Sequence, residues 1–550
     1  MSAVKHATLP SDGVGRDLRL QSFLIHLAHA ADGDRPVLAF HHERIAVNMT
    51  PADSSNQGAP PSPAQMVLAF SKAGLGSAST LVVMAILNKV VAVLGGPAGL
   101  GLFSLLRQLE LTGIAVASSD GDKALIQGIS ARRSDASGSA YIWHIGAFMA
   151  AITVAEAALL WLLAPWLGEA IFQSRTPELV WAIRLVGLPV FLAVAATWLV
   201  AVLKSHLAIG KAVAVRTIGA AVGVVAAAFA ARGGGASALV GILIAVEAAG
   251  MLIALAFARS SGVLPPQPAW SWRPARVDVR AYLSIAGYLL STGVVRNLTV
   301  LIIRTLFLRG LGLAYAGFFE AAWTVAGKSL LFLLDAIGTY YLPLLSAARQ
   351  ATYRPQLLRR LTRLAWSAGV LAVTGLVVLK PLAVTLLYSS DFLESLVMLQ
   401  WMIIGIYFQA SSWPFSTAML AFGDARDVFR VDAAWLAIFL AGSAAAVIVW
   451  RQPAGVGVAY LSACVVMFIA TSTVALRRYA LRTGPRMLAA WVFGLAVVLG
   501  ASWNTWGMNQ VHWLNACLWL VLAGAAALVA LQPEERTAIL RRLLARRPPD

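Results

Sequence analysis

Cysteine is almost missing from this chain. Cys464 and Cys517 are the only two in 550 residues, and both fall inside apolar segments. That leaves neither a disulfide frame nor a cysteine-based metal site to expect. Charge is scarce as well: 12% of residues are charged against 59% hydrophobic, with a mean hydropathy of +0.75. Such a balance excludes an ordinary soluble domain. Acidic residues are the scarcest charge, 25 against 43 Lys and Arg, for a net charge of +18. In an apolar chain this surplus points to basic connectors meeting anionic lipid heads, not to nucleic acid. Long polar loops are also lacking beyond residue 66, so a membrane polymerase or ligase would have no place for acidic or His catalytic groups. A nucleotide-binding loop is missing too. Residues Ala322–Ser329 spell a permissive phosphate-loop pattern, but Trp323 and Val325 stand where a glycine-rich backbone should cradle phosphate, within an apolar helical run.

What remains is a near-continuous series of about fourteen apolar segments, each of a length that crosses the roughly 30 Å hydrocarbon core. The chain therefore reads as an all-α polytopic membrane protein. The short connectors alternate in charge. One set holds most of the cations, among them Arg132, Arg133, Arg216, Arg259, Arg359, Arg363, Arg430, Arg477 and Arg478; the other holds only Arg175, Arg232, Arg309, Lys380 and Arg451. By the positive-inside rule both termini lie in the cytoplasm. Residues 1–65, rich in Pro, Ser, Asp and His, read as a polar, disordered cytoplasmic tail. It lacks the flank of a signal peptide, and its His41-His42-Glu43 reads as solvated. The C-terminal Arg541-Arg542 and Arg546-Arg547 suit a basic interfacial helix.

The chain repeats itself. Displaced by 215 positions, Lys89–Gly95 lies over Arg304–Gly310 and Phe103 over Phe318. Both stretches place a cation near a helix end, then a Gly-rich turn, then a second helix opening on an aromatic. This predicts two pseudo-symmetric six-helix lobes, 66–280 and 281–487, followed by two C-terminal helices and a basic tail over 488–550. Repeated lobes around a midplane site are the architecture of alternating access.

Charges inside membrane spans are expensive and mark function. They concentrate in the two hairpins: Lys89, Arg107 and Glu110 in the first, and Arg296, Arg304, Glu320, Lys328 and Asp335 in the second. Glu156, Arg184 and Glu247 are scattered, and read as interfacial or paired charges. Lys89, Arg107, Arg296, Arg304 and Lys328 outnumber the neighbouring acids and suit an anionic diphosphate, which guanidinium groups bind in bidentate fashion. Asp335, Glu320 and Glu110 are the carboxylates placed to bind H⁺ or Na⁺ in alternation with cargo. No cofactor and no metal site is expected.

At "NKVVAVLGGPAGLGLF" and the following "RQL", within Lys72–Leu109, the sequence resembles the opening of the O-antigen and enterobacterial common antigen flippases. These belong to the multidrug/oligosaccharidyl-lipid/polysaccharide exporter superfamily. The resemblance implies movement of undecaprenyl-diphosphate-linked oligosaccharide from the inner to the outer leaflet of the bacterial inner membrane, with Lys89 and Arg107 in the cationic hairpin. It also implies a glycan polymerase and chain-length machinery as partners. The two extra segments at 488–531 depart from the usual twelve spans and are similar to those of lipid II flippases. A drug/cation antiporter of the same superfamily and a membrane polymerase or ligase are the competing readings.

Overall fold

The computed structural model describes residues 63–532 and 535, apart from 119–121, 133–135, 207, 231–233, 265–271, 348–353, 480–483 and 533–534; side chains are described from 82 onward, with gaps that include 284–291, 328–333 and 335–340. The tail expected over residues 1–65 thus lies almost wholly outside the described residues.

Every described element is helical. The long helices are α1 (Pro63–Ser118), α3 (Ala136–Phe172), α5 (Gly187–Ser205), α6 (Ile209–Ala230), α7 (Gly235–Ser260), α8 (Trp272–Gly310) and α9 (Leu313–Ala347). They are followed by α10 (Arg354–Leu387), α11 (Leu396–Phe422), α12 (Ala425–Ala444), α13 (Pro453–Arg478), α14 (Pro485–Asn504) and α15 (Trp513–Ala530). Two short helices, α2 (Asp122–Ala131) and α4 (Pro177–Leu185), the latter leading into α5, a 3-10 turn at Ser390–Ser395 and a π turn at Ala445–Val449 complete the order. Among the described residues, eleven stretches are long and apolar enough to cross a membrane. In that solvent a helix satisfies its own backbone polar groups, so apolar runs of this length have one stable form.

The helices extend beyond the expected apolar cores. Arginine is a good helix former, so the turns carrying Arg276 and Arg280, or Arg359, Arg360 and Arg363, continue α8 and α10 and are not loose connectors. Lys380, expected in a connector, lies inside α10 and is 2% exposed. Its ammonium donates to the Thr505 carbonyl at 2.8 Å and to Thr505 Oγ1 at 3.0 Å, fastening the end of α14 to α10. At the other end of α10, Arg363 donates to the buried Glu535 carboxylate at 3.0 Å, just past α15. The C-terminal pair is thereby pinned to α10 at both ends.

The two hairpins are explicit. α1 turns at Gly96, whose φ of +60° needs a glycine, and Pro97 opens the second arm where its missing N–H is harmless. The second hairpin turns between α8 and α9 at Gly312, φ +103°. Their second arms meet backbone to backbone. A Cβ on Gly101 would strike the Leu313 carbonyl oxygen, and a Cβ on Gly317 would strike the Pro97 carbonyl oxygen. Pro97 pairs with Leu313 as Gly101 pairs with Gly317, so the repeat runs at 216 positions after the turn, one more than before it. The expected register of Phe103 over Phe318 is corrected accordingly: Phe103 matches Phe319. Away from this junction, α3, α5, α6 and α7 pack chiefly with one another and α1, and α10 to α15 chiefly with one another and α9.

Candidate functional site

The second arm of α1 and helix α8 face one another where the hairpins meet. Residues four apart lie on one side of a helix, and Ser104 and Gln108 turn that side of α1 toward α8. Gln108 Nε2 donates to the Asn297 carbonyl and to Asn297 Oδ1, each at 3.0 Å. Seven residues on, Arg304 is 4% exposed; its guanidinium donates to the Ser104 carbonyl of the first hairpin and forms an ion pair with Glu320 of α9. Glu320 also accepts from Thr324 Oγ1 at 2.9 Å, and Phe307 stacks on Phe319 at 5.1 Å beside the pair. Two charges so enclosed persist only because they compensate one another.

The other expected residues are distributed around this pair. Arg107 is half-buried, and its one hydrogen-bond acceptor among the described residues is the Met84 sulfur at 3.7 Å. It lies within electrostatic reach of Arg304, Glu110 and Glu247. Glu110 is 2% exposed, and its Oε1 has no hydrogen-bond partner among the described residues. Arg296 is exposed and within electrostatic reach of Asp432 on α12. Lys89 is half-buried, with its ammonium donating to the Leu386 carbonyl in the last turn of α10 at 2.8 Å. Lys89 and Arg304 thus each hold backbone of the other half of the molecule, and in this conformation neither ends in open space. The side chains of Lys328 and Asp335 lie outside the described residues. The phosphate-loop lookalike at 322–329 lies wholly within α9.

Three residues gain a place that sequence reasoning did not assign. Glu247 of α7 faces Glu110 and Arg107, with Arg216 of α6 also in reach. Asn297 holds Gln108. Arg309, expected in a connector, is in the last turn of α8 and donates to the Ala170 carbonyl and, at 3.4 Å, to the Glu169 carbonyl of α3. Glu247 was visible as a charge in an apolar run, but its neighbour on α1 is far away in the chain.

The geometry defines a polytopic helical architecture whose buried charges, among the described residues, gather where two related hairpins touch. Solved structures share it. The chain aligns with the lipid II flippase MurJ in an inward closed conformation at 12% identity, covering 87% of this chain and 100% of that one, with a TM-score of 0.63. An inward-facing multidrug resistance MATE family transporter of the MOP superfamily matches at 13% identity, covering 73% and 95%, with a TM-score of 0.59. A MOP superfamily transporter from Pyrococcus furiosus, reported with a binding pocket of reverse polarity, matches at 13% identity over 77% and 98%, with a TM-score of 0.55. No curated protein sequence matches the chain. The profile of the polysaccharide biosynthesis protein family matches residues 113–397, just over half of the chain. The chain belongs to that family. Family and fold together bear out the resemblance read at Lys72–Leu109 to flippases of the exporter superfamily.

Proposed function

We propose that this protein flips undecaprenyl-diphosphate-linked oligosaccharide from the cytoplasmic to the periplasmic leaflet of the bacterial inner membrane, feeding O-antigen or exopolysaccharide assembly. Both termini and the arginine-rich connectors are cytoplasmic, and the Gly96 and Gly312 turns face the periplasm. The observation that carries the reading is Arg107. It is a half-buried guanidinium at the junction of the hairpins, beside Glu110 and Glu247, whose one hydrogen-bond acceptor among the described residues is a thioether, in a member of a polysaccharide biosynthesis family with a transporter fold. Arg107 and Arg296 contact the diphosphate oxygens, Lys328 is a further candidate from the charge pattern of the sequence, and Lys89 and Arg304 join them when their present partners are released. A glycan polymerase and chain-length machinery receive the product.

Coupling to H⁺ or Na⁺ falls to Glu110, with Glu320 and Asp335 as further candidates. A buried carboxyl oxygen without a partner is costly unless it holds a proton or an ion, and Glu110 is such a group beside the second carboxylate Glu247. Glu320 is engaged by Arg304. The competing drug/cation antiporter shares the fold, but a surplus of Arg and Lys repels organic cations.

Arg107→Ala and Arg296→Ala, expressed at normal levels, are expected to abolish surface glycan and flipping of the lipid-linked oligosaccharide in proteoliposomes. Normal flipping by both variants would overturn the assignment of the cargo site. In the same vesicles Glu110→Gln should lose the response to an imposed pH or Na⁺ gradient, and a wild-type response would remove Glu110 as the coupling group.

A further inference from the structure

The last four carbonyls of a helix have no partner within it, and in a membrane such orphans are costly. Two long helices, α3 and α10, end on the same face as the hairpin turns, at Phe172 and Leu387. They are pseudo-equivalent: 172 and 387 differ by 215 positions, within one of the 216 at which the repeat runs beyond the turn. In each, an orphan carbonyl of the last turn is taken by a cation from the opposite half of the molecule. Lys89, on the first arm of the first hairpin, donates to Leu386 of α10. Arg309, on the first arm of the second hairpin, donates to Ala170 of α3, with Glu169 as its second acceptor. The two donors are not at equivalent positions, but the acceptors agree to within one residue of the repeat. A positive side chain at a helix C-terminus also meets the negative end of the helix dipole. The arms that follow the two turns meet backbone to backbone at Gly101 and Gly317.

We propose that Lys89 and Arg309 are a pair of reciprocal latches, each a cation of one half capping a helix of the other, that hold the hairpin-turn face shut. When the halves separate on that face, water replaces the cations on both carbonyls, so the latch opens without leaving buried orphans. The pair acts symmetrically: each half supplies one donor and one acceptor, and either bond alone leaves the other half free to swing about it. This assigns Lys89 a positioning role in the closed state, separate from any contact with cargo, and gives Arg309 a role of its own. The inference rests on the proposed topology only for the side from which a reagent arrives.

The test is thiol labelling in spheroplasts with a membrane-impermeant maleimide. In a Cys517→Ser background, Ser104→Cys lies buried beneath the closed face, and Asn509→Cys lies in the exposed connector after α14. Lys89→Met with Arg309→Met should raise labelling of Ser104→Cys at least severalfold, with each single change intermediate. Lys89→Arg, which keeps a donor, should restore wild-type labelling in the presence of native Arg309. Asn509→Cys should label equally in every background. If it labels, and the double variant leaves Ser104→Cys as protected as in the parent, the latches are refuted. If Asn509→Cys itself fails to label while folded protein is present, the topology of the functional reading is overturned, and labelling inside-out vesicles then decides the latch by the same comparison. A rise in labelling that Lys89→Arg also produces would mean general loosening and would equally overturn the proposal.

Discussion

Glu320→Gln isolates the strongest interaction at the junction. It keeps the shape of the side chain and the Thr324 hydrogen bond, but removes the charge opposite Arg304. The guanidinium is then left 4% exposed with the Ser104 carbonyl as its remaining acceptor. Breaking a buried ion pair by removing one partner costs about 3–5 kcal/mol, whereas removing both is often close to neutral. Arg304→Met should therefore cost a similar amount through the stranded carboxylate. The double variant Arg304→Met/Glu320→Gln should be well short of the sum, with a coupling energy of at least about 2 kcal/mol. The assay is reversible unfolding of purified protein in mixed micelles of mild detergent and dodecyl sulfate, followed by tryptophan fluorescence. The same cycle read by flipping would then tell stability from transport. Additive costs, or single costs under about 1 kcal/mol, would mean that the pair is hydrated and screened, and the reasoning from its burial would fail.

Gly101→Val should wedge the two second arms apart, because its side chain meets the backbone of Leu313 and Gly317; overpacking of about 1–3 kcal/mol shifts the population about 5- to 150-fold toward separated arms. Double electron–electron resonance between labels on the turns reads the shift, and Gly99→Val, with open space around it, is the control that should not move. Lys380→Met should free the end of α14. Loss of charged hydrogen bonds worth about 1.5–3 kcal/mol accelerates amide exchange near Thr505 by about 10- to 150-fold, and unchanged exchange would show that the bond holds nothing. Glu110→Leu should unfold no more easily than the parent, since it removes a buried oxygen that has no partner, while its transport loses gradient dependence. A marked loss of stability would reveal a structural partner for that carboxyl.

Much of this architecture is legible because its signals are local. The length of an apolar run sets a span, and Gly96-Pro97 writes a turn into the sequence directly. The repeat was visible from the cation, turn and aromatic of each hairpin, but the single added residue after the turn was not. Apolar stretches align equally well one position apart, and only the meeting of Gly101 with Gly317 decides the register. The partners of buried charges were the least legible. Lys380 reads like a loop lysine because its acceptor, Thr505, is 125 residues away. Glu247 reads as an isolated acid because Glu110 sits on a helix distant in the chain. The concentration of charge in the hairpins pointed to the right region, while the pairing of Arg304 with Glu320 and the capping by Lys89 depend on how helices cross.

The glycine contact has a mechanical consequence. From Gly101 to the end of the arm at Ser118 the helix runs 17 residues, a lever of about 25 Å at 1.5 Å per residue. A tilt of about 10° at the short end sweeps the long end through roughly 4 Å, and twice that tilt through nearly 9 Å on the same rise. Because two glycines touch at the fulcrum, tilting meets no side chain there; farther along the arm it parts Gln108 from Asn297 and Arg304 from the Ser104 carbonyl. Small angular displacements near the turns are thus geared into openings of several Å at the far end of the arm.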